Sequence, residues 1–143
     1  MKVEQISVFL ENKSGRLAQV TDILFESDIN ILALTLLDTS EFGVMRLIVD
    51  KTDQAFQALK DSGFTVSKTE VAAVQVADQP GGLHRILNIL KQADINVEYM
   101  YDYLRHVGQD AILIFRFDDM SKSIQILREN GIPVLDADKL FSL

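Results

Sequence analysis

The 143-residue sequence contains no cysteine, no tryptophan and only two histidines, and these absences exclude several kinds of chemistry. Without cysteine there is no disulfide, no thiolate nucleophile, no cysteine-ligated zinc and no iron–sulfur cluster. His84 and His106 are too few for a histidine-rich metal site. The sequence therefore predicts neither a metal centre nor a cofactor.

Long apolar runs are also missing, and the charge is unbalanced towards acid. No run approaches the roughly 18 residues that a membrane-spanning helix needs, and the first residues, Met1–Gln5, lack the apolar core of a signal peptide. There are 21 acidic and 14 basic residues, so the net charge is −7. Such a surface repels phosphate backbones and anionic membranes. We therefore expect a cytoplasmic protein that binds neither nucleic acid nor membranes.

An internal repeat is the strongest pattern that the sequence does contain. The length of the sequence allows either one ordinary domain or two small domains of about 70 residues each. With an offset of 66 residues, the segment 6–31 aligns with 72–97 without a gap, and eight of the 26 positions are identical. The identities include Gly15 with Gly81, and later the offset becomes 68. The repeat predicts two modules, residues 1–69 and 70–143.

Both halves have the same order of predicted elements, strand-helix-strand-strand-helix-strand. Apolar residues alternate in the strand around Ile6–Leu10, whereas Leu83–Leu90 carries them at helical spacing. This order is typical of the ferredoxin-like α+β fold, in which a four-stranded antiparallel sheet carries two helices on one face. We expect the turn between the second and third strands at Thr39–Glu41, and one more helical turn in the tail 136–143.

Two predicted strands carry more apolar or aromatic surface than one thin module hides. The second strand, Ile31–Leu37, is apolar on both faces, so we expect it to be covered on both. Tyr99, Tyr101 and Tyr103 lie on one face of a strand in the second half. We expect them to be half-buried, with their hydroxyls in solvent. The absence of a flexible linker near Lys68–Glu70 favours halves that are packed together.

The segment Asp78–Leu83, with the sequence Asp-Gln-Pro-Gly-Gly-Leu, is the most informative candidate for a ligand site. It lies between a predicted strand and helix, and Gly81 and Gly82 allow backbone conformations and close approaches that a Cβ prevents. The N-terminus of a helix can receive a carboxylate. Asp78 can pair with an ammonium group. Together, the helix N-terminus and Asp78 would suit a zwitterion. An ordinary turn with Asp78 as the helix cap is the other interpretation.

This segment resembles the Asp-x-Pro-Gly-x-Leu signature of ACT domains, and Ala93–Val97 resembles that family's junction between the first helix and the second strand. The first half carries a similar pattern in Glu11–Leu17 and Ser27–Ile31, except that Asn12 replaces the usual Asp and Ser14 the usual Pro. The resemblance covers nearly the whole sequence. It implies a tandem pair of ACT modules, each with a ferredoxin-like fold.

In this family, amino-acid ligands bind at an interface between two modules. The loop after the first strand meets the second strand of the neighbouring module there. The resemblance therefore implies the following ligand-binding candidates in the two halves: Asn12, Gly15, Arg16, Leu17, Asn30 and Ile31, with their counterparts Asp78, Pro80, Gly81, Gly82, Leu83, Asn96 and Val97. Because Asn12 lacks a charge, the first half loses charge-assisted recognition of an ammonium group.

No arrangement of nucleophile, base and oxyanion hole is recognisable, so we expect no enzymatic activity. His84 and His106 are expected on the surface, and Asp118 and Asp119 precede a helix, where they suit capping rather than acid–base chemistry. The expected function is a regulatory protein that binds an amino acid and forms a homodimer. The alternatives are a ligand-free interaction or regulatory subunit of an enzyme in amino-acid biosynthesis, and a control protein that acts on a regulator.

Overall fold

The computed structural model describes residues 2–38 and 41–143, and within them the chain divides into two compact units. The first unit is Glu4–Thr69, and the second is Glu70–Leu143 together with the short segment that ends at Val3. The expected turn at Thr39–Glu41 falls largely outside the described residues, because Thr39 and Ser40 are not among them.

The first unit has the predicted order of elements. Its strands and helices are β1 (Val3–Glu11), α1 (Arg16–Glu26), β2 (Ile31–Asp38), β3 (Phe42–Val49), α2 (Thr52–Asp61) and the beginning of β4 (Thr65–Val76). The strand order is β2-β3-β1-β4, and both β1 and β2 pair with β3 in antiparallel register. This is the strand order of a ferredoxin-like module.

The second unit repeats this arrangement. It uses the end of β4, then α3 (Gly82–Gln92), β5 (Val97–Asp102), β6 (Ala111–Phe117), α4 (Met120–Glu129), β7 (Val134–Leu135) and α5 (Ala137–Phe141). The order β5-β6-β4-β7 is antiparallel throughout. The ferredoxin-like α+β fold and the extra helical turn in the tail are confirmed.

The strand β4 differs from the expectation of two separate strands, one ending the first half and one beginning the second. It runs without a break from Thr65 to Val76, and the boundary between the units falls within it. Ser67–Glu70 contains neither glycine nor proline, so nothing in the sequence ends the extended backbone there.

Each unit has its own hydrophobic core between one sheet face and two helices. In the first unit the core joins alternate strand residues to the buried stripes of α1 and α2; these residues include Ile6, Val8, Leu10, Val20, Leu24, Met45, Leu47, Ala55 and Leu59. The second core is built in the same way from Val74, Val76, Ile86, Leu90, Phe115, Phe117 and Leu127. Phe115 and Phe117 stack with ring centroids 5.2 Å apart.

The exposure of two groups of side chains bears on the expectations above, those of β2 and the tyrosines on and just after β5. In the second half of β2, Leu34, Leu36 and Leu37 are 44–58% exposed, so this chain does not itself supply the cover expected on both faces. Tyr103 is buried rather than wet, and its hydroxyl donates to the carbonyl oxygen of Leu140 on α5 at 3.4 Å. Burial raises the pKa of Tyr103, since the anionic phenolate is poorly solvated there.

We predict that Leu24→Ala and Leu90→Ala each lower the free energy of unfolding by about 2–5 kcal/mol. Both leucines are 1% exposed and occupy equivalent core positions of the two units. Urea denaturation measures the loss. The matched control is Phe25→Ala, because Phe25 is 83% exposed beside Leu24 and its loss should change stability by no more than about 0.5 kcal/mol. A loss in the control as large as in Leu24→Ala would contradict this account of the core.

Candidate functional site

The loop from β4 to α3, together with the first turn of α3, carries five of the predicted ligand-binding residues. Gly81 precedes the helix in a left-handed conformation, with a φ of 89°. Gly15, which precedes α1, has nearly the same φ of 87°. No side chain caps α3, whereas Asp119 caps α4 by accepting a hydrogen bond from the amide of Lys122. The first amides of α3 are therefore without a side-chain cap, and such amides favour an anion.

Gly81 is required by its left-handed backbone conformation, whereas Gly82 is required because the backbone passes close to it. A Cβ at Gly82 would lie 2.1 Å from the carbonyl oxygen of Ala77, whereas one at Gly81 would meet nothing within 4 Å. That carbonyl accepts the amide of Gln79 at 2.9 Å, and the Gln79 carbonyl accepts the amide of Gly82 at 3.1 Å. Gly82 therefore lets the loop fold tightly against the end of β4.

The carboxylate of Asp78 is exposed, and no hydrogen bond or ion pair holds it among residues 2–38 and 41–143. The alternative in which Asp78 caps α3 is thus not the arrangement observed. Pro80 is exposed as well, and Leu83 is half-buried against the core of the second unit. The loop presents an anionic side chain and uncapped helix amides within a few residues of each other.

In the first unit, the polar side chains of the equivalent loop bind one another. Arg16, which corresponds to Gly82, donates through Nη2 to Oε1 of Glu11 at 3.0 Å and through Nη1 to Oε1 of Gln19 at 2.9 Å. The side-chain hydrogen bond from Lys13, and then that from Arg16, lower the pKa of the Glu11 carboxyl. Nδ2 of Asn12 lies 3.5 Å from Oδ2 of Asp38. This loop already satisfies the charges that a zwitterion would otherwise meet.

Asn12, Arg16 and Leu17 do come together around a small cavity of about 80 Å³. Leu36 and Asp38, at the end of β2, complete its wall. Sequence reasoning missed these two residues. The antiparallel register could have found them, since Glu11 pairs with Phe42 and Gly43 pairs with Asp38.

Asn30 and Asn96 lie at the junctions between a helix and the next strand, and their backbones are fixed in the same way. The amide of Asn30 donates to Oδ1 of Asp50 at 3.0 Å, and that of Asn96 donates to Oδ1 of Asp118 at 3.1 Å. Each carboxylate residue returns a bond from its own amide to the carbonyl oxygen of the asparagine. Sequence reasoning missed Asp50, and it assigned Asp118 only to helix capping; the offset of 68 between them was the available signal.

These junctions are polar grooves rather than enclosed sites. Asn30 lines one of about 410 Å³ with Asp28 and Lys51, whose Nζ donates to the Asp28 carbonyl oxygen at 2.7 Å. Asn96 and Val97 line the equivalent groove of about 390 Å³ in the second unit. The side chains of both asparagines are exposed, and Ile31 and Val97 are half-buried.

Within each unit, the loop candidates and the junction candidates lie at opposite ends of an outer strand. In the first unit the loop meets Asp38, the last residue of β2, whereas Ile31 is the first. Seven residue steps separate the two, roughly 23 Å at about 3.3 Å per residue. In the second unit the loop follows Val76, which pairs with Ala111 at the start of β6, whereas Val97 pairs with Phe117 at its end.

The described residues offer little for metal or membrane chemistry. Across 2–38 and 41–143, no group of three or more histidine, aspartate or glutamate residues is placed to hold a metal ion. His84, in the first turn of α3, and His106, in the segment after β5, are exposed. None of the helices in that part of the chain is both long and apolar enough to cross a membrane.

We predict that Gly82→Ala lowers the free energy of unfolding of the second unit by about 1–3 kcal/mol, because the new Cβ must displace backbone. Differential scanning calorimetry and urea denaturation check the loss. The matched substitution is Arg16→Ala at the equivalent place in the first unit, which already carries a Cβ and should change stability by about 0.5 kcal/mol or less. If Gly82→Ala were as stable as the unaltered chain, the close approach to Ala77 would be wrong.

Comparison with known proteins agrees with this architecture. The family model described as an ACT domain pair matches residues 1–143. None of the curated proteins compared with the sequence matches it. Protein BT0572 from Bacteroides thetaiotaomicron is 38% identical, with a TM-score of 0.92 over 100% of this chain and 98% of that one.

Two further solved structures share the fold at low sequence identity. The ligand-free regulatory subunit of aspartate kinase from Thermus thermophilus is 15% identical, with a TM-score of 0.62 over 90% of this chain and 93% of that one. The corresponding subunit from Thermus flavus is 13% identical, with a TM-score of 0.60 over 92% and 94%. Because the family model spans the whole sequence, the chain belongs to the ACT domain pair family.

Proposed function

We propose that this protein is a non-catalytic regulator that binds a small amino acid at the loop between β4 and α3. The observation that carries the proposal is the unpartnered Asp78 carboxylate beside the uncapped N-terminus of α3. The carboxylate of the ligand would accept hydrogen bonds from the amides of Leu83 and His84, since the Gln79 carbonyl already accepts that of Gly82. Its ammonium group would pair with Asp78. Gly81 and Gly82 would allow the ligand to approach the backbone closely.

The loop of the first unit is a poorer site for the same ligand. Arg16 and Asn12 are held by Glu11, Gln19 and Asp38. A ligand there would have to break these bonds, and Asn12 stands where Asp78 supplies a carboxylate in the second unit. We therefore expect one principal amino-acid site per chain, at Asp78.

A complete site needs residues from two modules. A single ligand cannot touch both the loop and the junction of one unit, because an outer strand roughly 17–23 Å long separates them. Asn96 and Val97, or Asn30 and Ile31, can therefore contribute only to a ligand held by the loop of another module. This supports ligand binding at an interface between modules, as the family resemblance implies.

We predict that at least one amino acid raises the melting temperature and that Asp78→Asn weakens its binding by roughly tenfold to a hundredfold, since a charge-assisted bond is lost. A thermal-shift scan of the free amino acids, followed by calorimetric titration, measures both effects. Asn12→Ala is the matched control in the first unit and should bind nearly as well as the unaltered chain. If no amino acid shifts the melting temperature at millimolar concentration, the proposal fails.

The same scan separates the second candidate function, a regulatory subunit without a ligand of its own. The exposed apolar side chains of the first unit favour this candidate, because they would suit a protein partner. A stoichiometric complex with an enzyme of amino-acid metabolism, unchanged by every amino acid, would support it over ligand sensing. A cytoplasmic location is part of both proposals.

We also propose that the protein is a homodimer whose contact includes β2. Among the described residues β2 pairs only with β3, and its exposed leucines accompany an edge of free backbone groups. We predict that Leu37→Lys converts the dimer to a monomer in light scattering coupled to size exclusion, because a charge would be buried at the contact. Leu104→Lys, at an equally exposed leucine of the second unit, should leave the mass unchanged. A monomeric mass for the unaltered chain would refute the dimer.

A further inference from the structure

A groove in the second unit lies apart from the loop between β4 and α3. It has a volume of about 710 Å³, a size typical of small-molecule sites. Its floor is apolar and includes Val71 and Ala72 of β4 and Ile124 of α4. Glu70 and Asp136 are among the acidic residues at its rim.

The first unit fills the equivalent place with its own side chains. Phe56 of α2 packs on the core there, and Nζ of Lys68 lies 5.0 Å from the centre of its ring. The Lys68 ammonium is 2.9 Å from Oδ1 of Asp53. That hydrogen bond, with a smaller contribution from Glu4, raises the pKa of Lys68. The first unit thus shows an aliphatic stem with a cationic end lying in this place.

Three substitutions between the repeats open the groove in the second unit. At the offset of 68, Phe56 corresponds to the smaller Ile124, Asp53 to Ser121, and Lys68 to Asp136. Asp136 cannot fill the space, because its side chain caps α5 by accepting the amide of Lys139 at 2.9 Å. The strand β7 also ends at Leu135, so the chain leaves the groove where the first unit continues as β4.

The groove of the second unit keeps acidic residues, although it lacks a cation equivalent to the Lys68 ammonium of the first unit. Glu70 corresponds to Glu4 at the offset of 66, and Asp136 adds a second carboxylate. The Glu70 carboxylate pairs with Lys2, whose Nζ is 3.8 Å from Oε1 and whose side chain is 78% exposed, while the Arg116 guanidinium donates to the Glu70 carbonyl oxygen at 2.7 Å. The pair with Lys2 is a weak surface pair. A ligand ammonium could displace it.

The remaining basic residue of the groove, Arg128, is directed to the backbone and not to Glu70 or Asp136. Its Nη2 donates to the carbonyl oxygen of Val134 at 3.0 Å, which holds the guanidinium against the end of β7. In the first unit the residue that corresponds to Arg128 is Lys60, which is also basic. Lys60 lies on α2, the helix whose Asp53 and Phe56 contact the Lys68 ammonium. The Gln125 side chain donates to Glu129, as Gln57 donates to Asp61 in the first unit.

We propose that this groove binds a small primary alkylamine, with its aliphatic stem on Ile124 and Val71 and its ammonium group between Glu70 and Asp136. The ligand takes the place that the Lys68 side chain occupies in the first unit. Free diamines and the side chains of basic amino acids share this chemistry. The proposal does not depend on the amino-acid site at Asp78.

The test is a titration of the full ¹⁵N-labelled chain with pentane-1,5-diamine, with pentan-1-ol and pentanoate as probes of equal length. We expect saturable shifts of the amides of Val71, Ile124 and Leu135 with the diamine below about 20 mM, and at least roughly tenfold weaker effects with the other two probes. Equal binding of pentanoate, no shifts at all, or shifts confined to the Asp78 loop would overturn the proposal. Concentration-dependent broadening of the groove amides without any probe would assign the groove to a second copy and overturn it as well.

Four variants sharpen the test. Ile124→Phe should abolish binding because it fills the groove as Phe56 does in the first unit, where the fold accepts that side chain. Glu70→Gln and Asp136→Asn should each weaken binding about threefold to fivefold, and the asparagine keeps the cap of α5. Asp102→Asn removes an exposed carboxylate elsewhere in the unit and should leave binding unchanged. Diamine binding that survives Ile124→Phe, or that Asp102→Asn weakens as much as Glu70→Gln does, would overturn the proposal.

Discussion

A glycine in the left-handed conformation begins the first helix of each unit, and the rest of each candidate site depends on that turn. Gly15 and Gly81 have nearly the same φ, and in both units the amide four residues later bonds to the glycine carbonyl. A side chain would strain this conformation, so glycine fixes where the helix starts. Since glycine has no side-chain acceptor, the first amides of the helix are left without a side-chain cap. The same backbone turn therefore leaves helix amides that favour an anion in either unit, and the side chains around these amides differ between the two units.

The two units have diverged in opposite directions from this shared frame. In the first unit, Arg16 and Glu11 neutralise each other at the loop, and Lys68, Asp53 and Phe56 fill the place of the groove. In the second unit, glycine replaces Arg16 and isoleucine replaces Phe56, so both places are open. The first copy pairs its own charges, whereas Asp78 in the second has no partner among the described residues. After a duplication this is a direct route to a site, because the filled copy maintains the fold while the open copy changes.

The sequence predicted the repeat, the order of elements and the cap at Asp119, because each depends on local patterns that survive in both halves. It did not predict that β4 is one strand, since the boundary between repeats is a property of the duplication and not of the backbone. The sequence could not identify what covers Leu37, because an apolar residue does not reveal which chain packs on it. The groove could not be predicted from the sequence either, for a different reason. It depends on the volume difference between Phe56 and Ile124 and on Asp136 being drawn to α5, and both are visible only once the elements are packed.

The placement of exposed apolar side chains follows the same asymmetry. Among the described residues, the large exposed hydrophobic side chains of the first unit are Phe9, Leu17, Phe25, Leu34, Leu36, Leu37 and Phe42, whereas the second unit has only Leu87 and Leu104. A surface of this kind is costly in water unless another chain covers it. The unit whose polar sites are closed is therefore the one suited to association, and the unit whose polar sites are open is largely free of apolar exposure. If the open unit binds the ligand and the apolar unit holds the partner, regulation requires that the two events be coupled. The continuous strand β4 contributes residues to both units, so it offers one covalent route for such coupling.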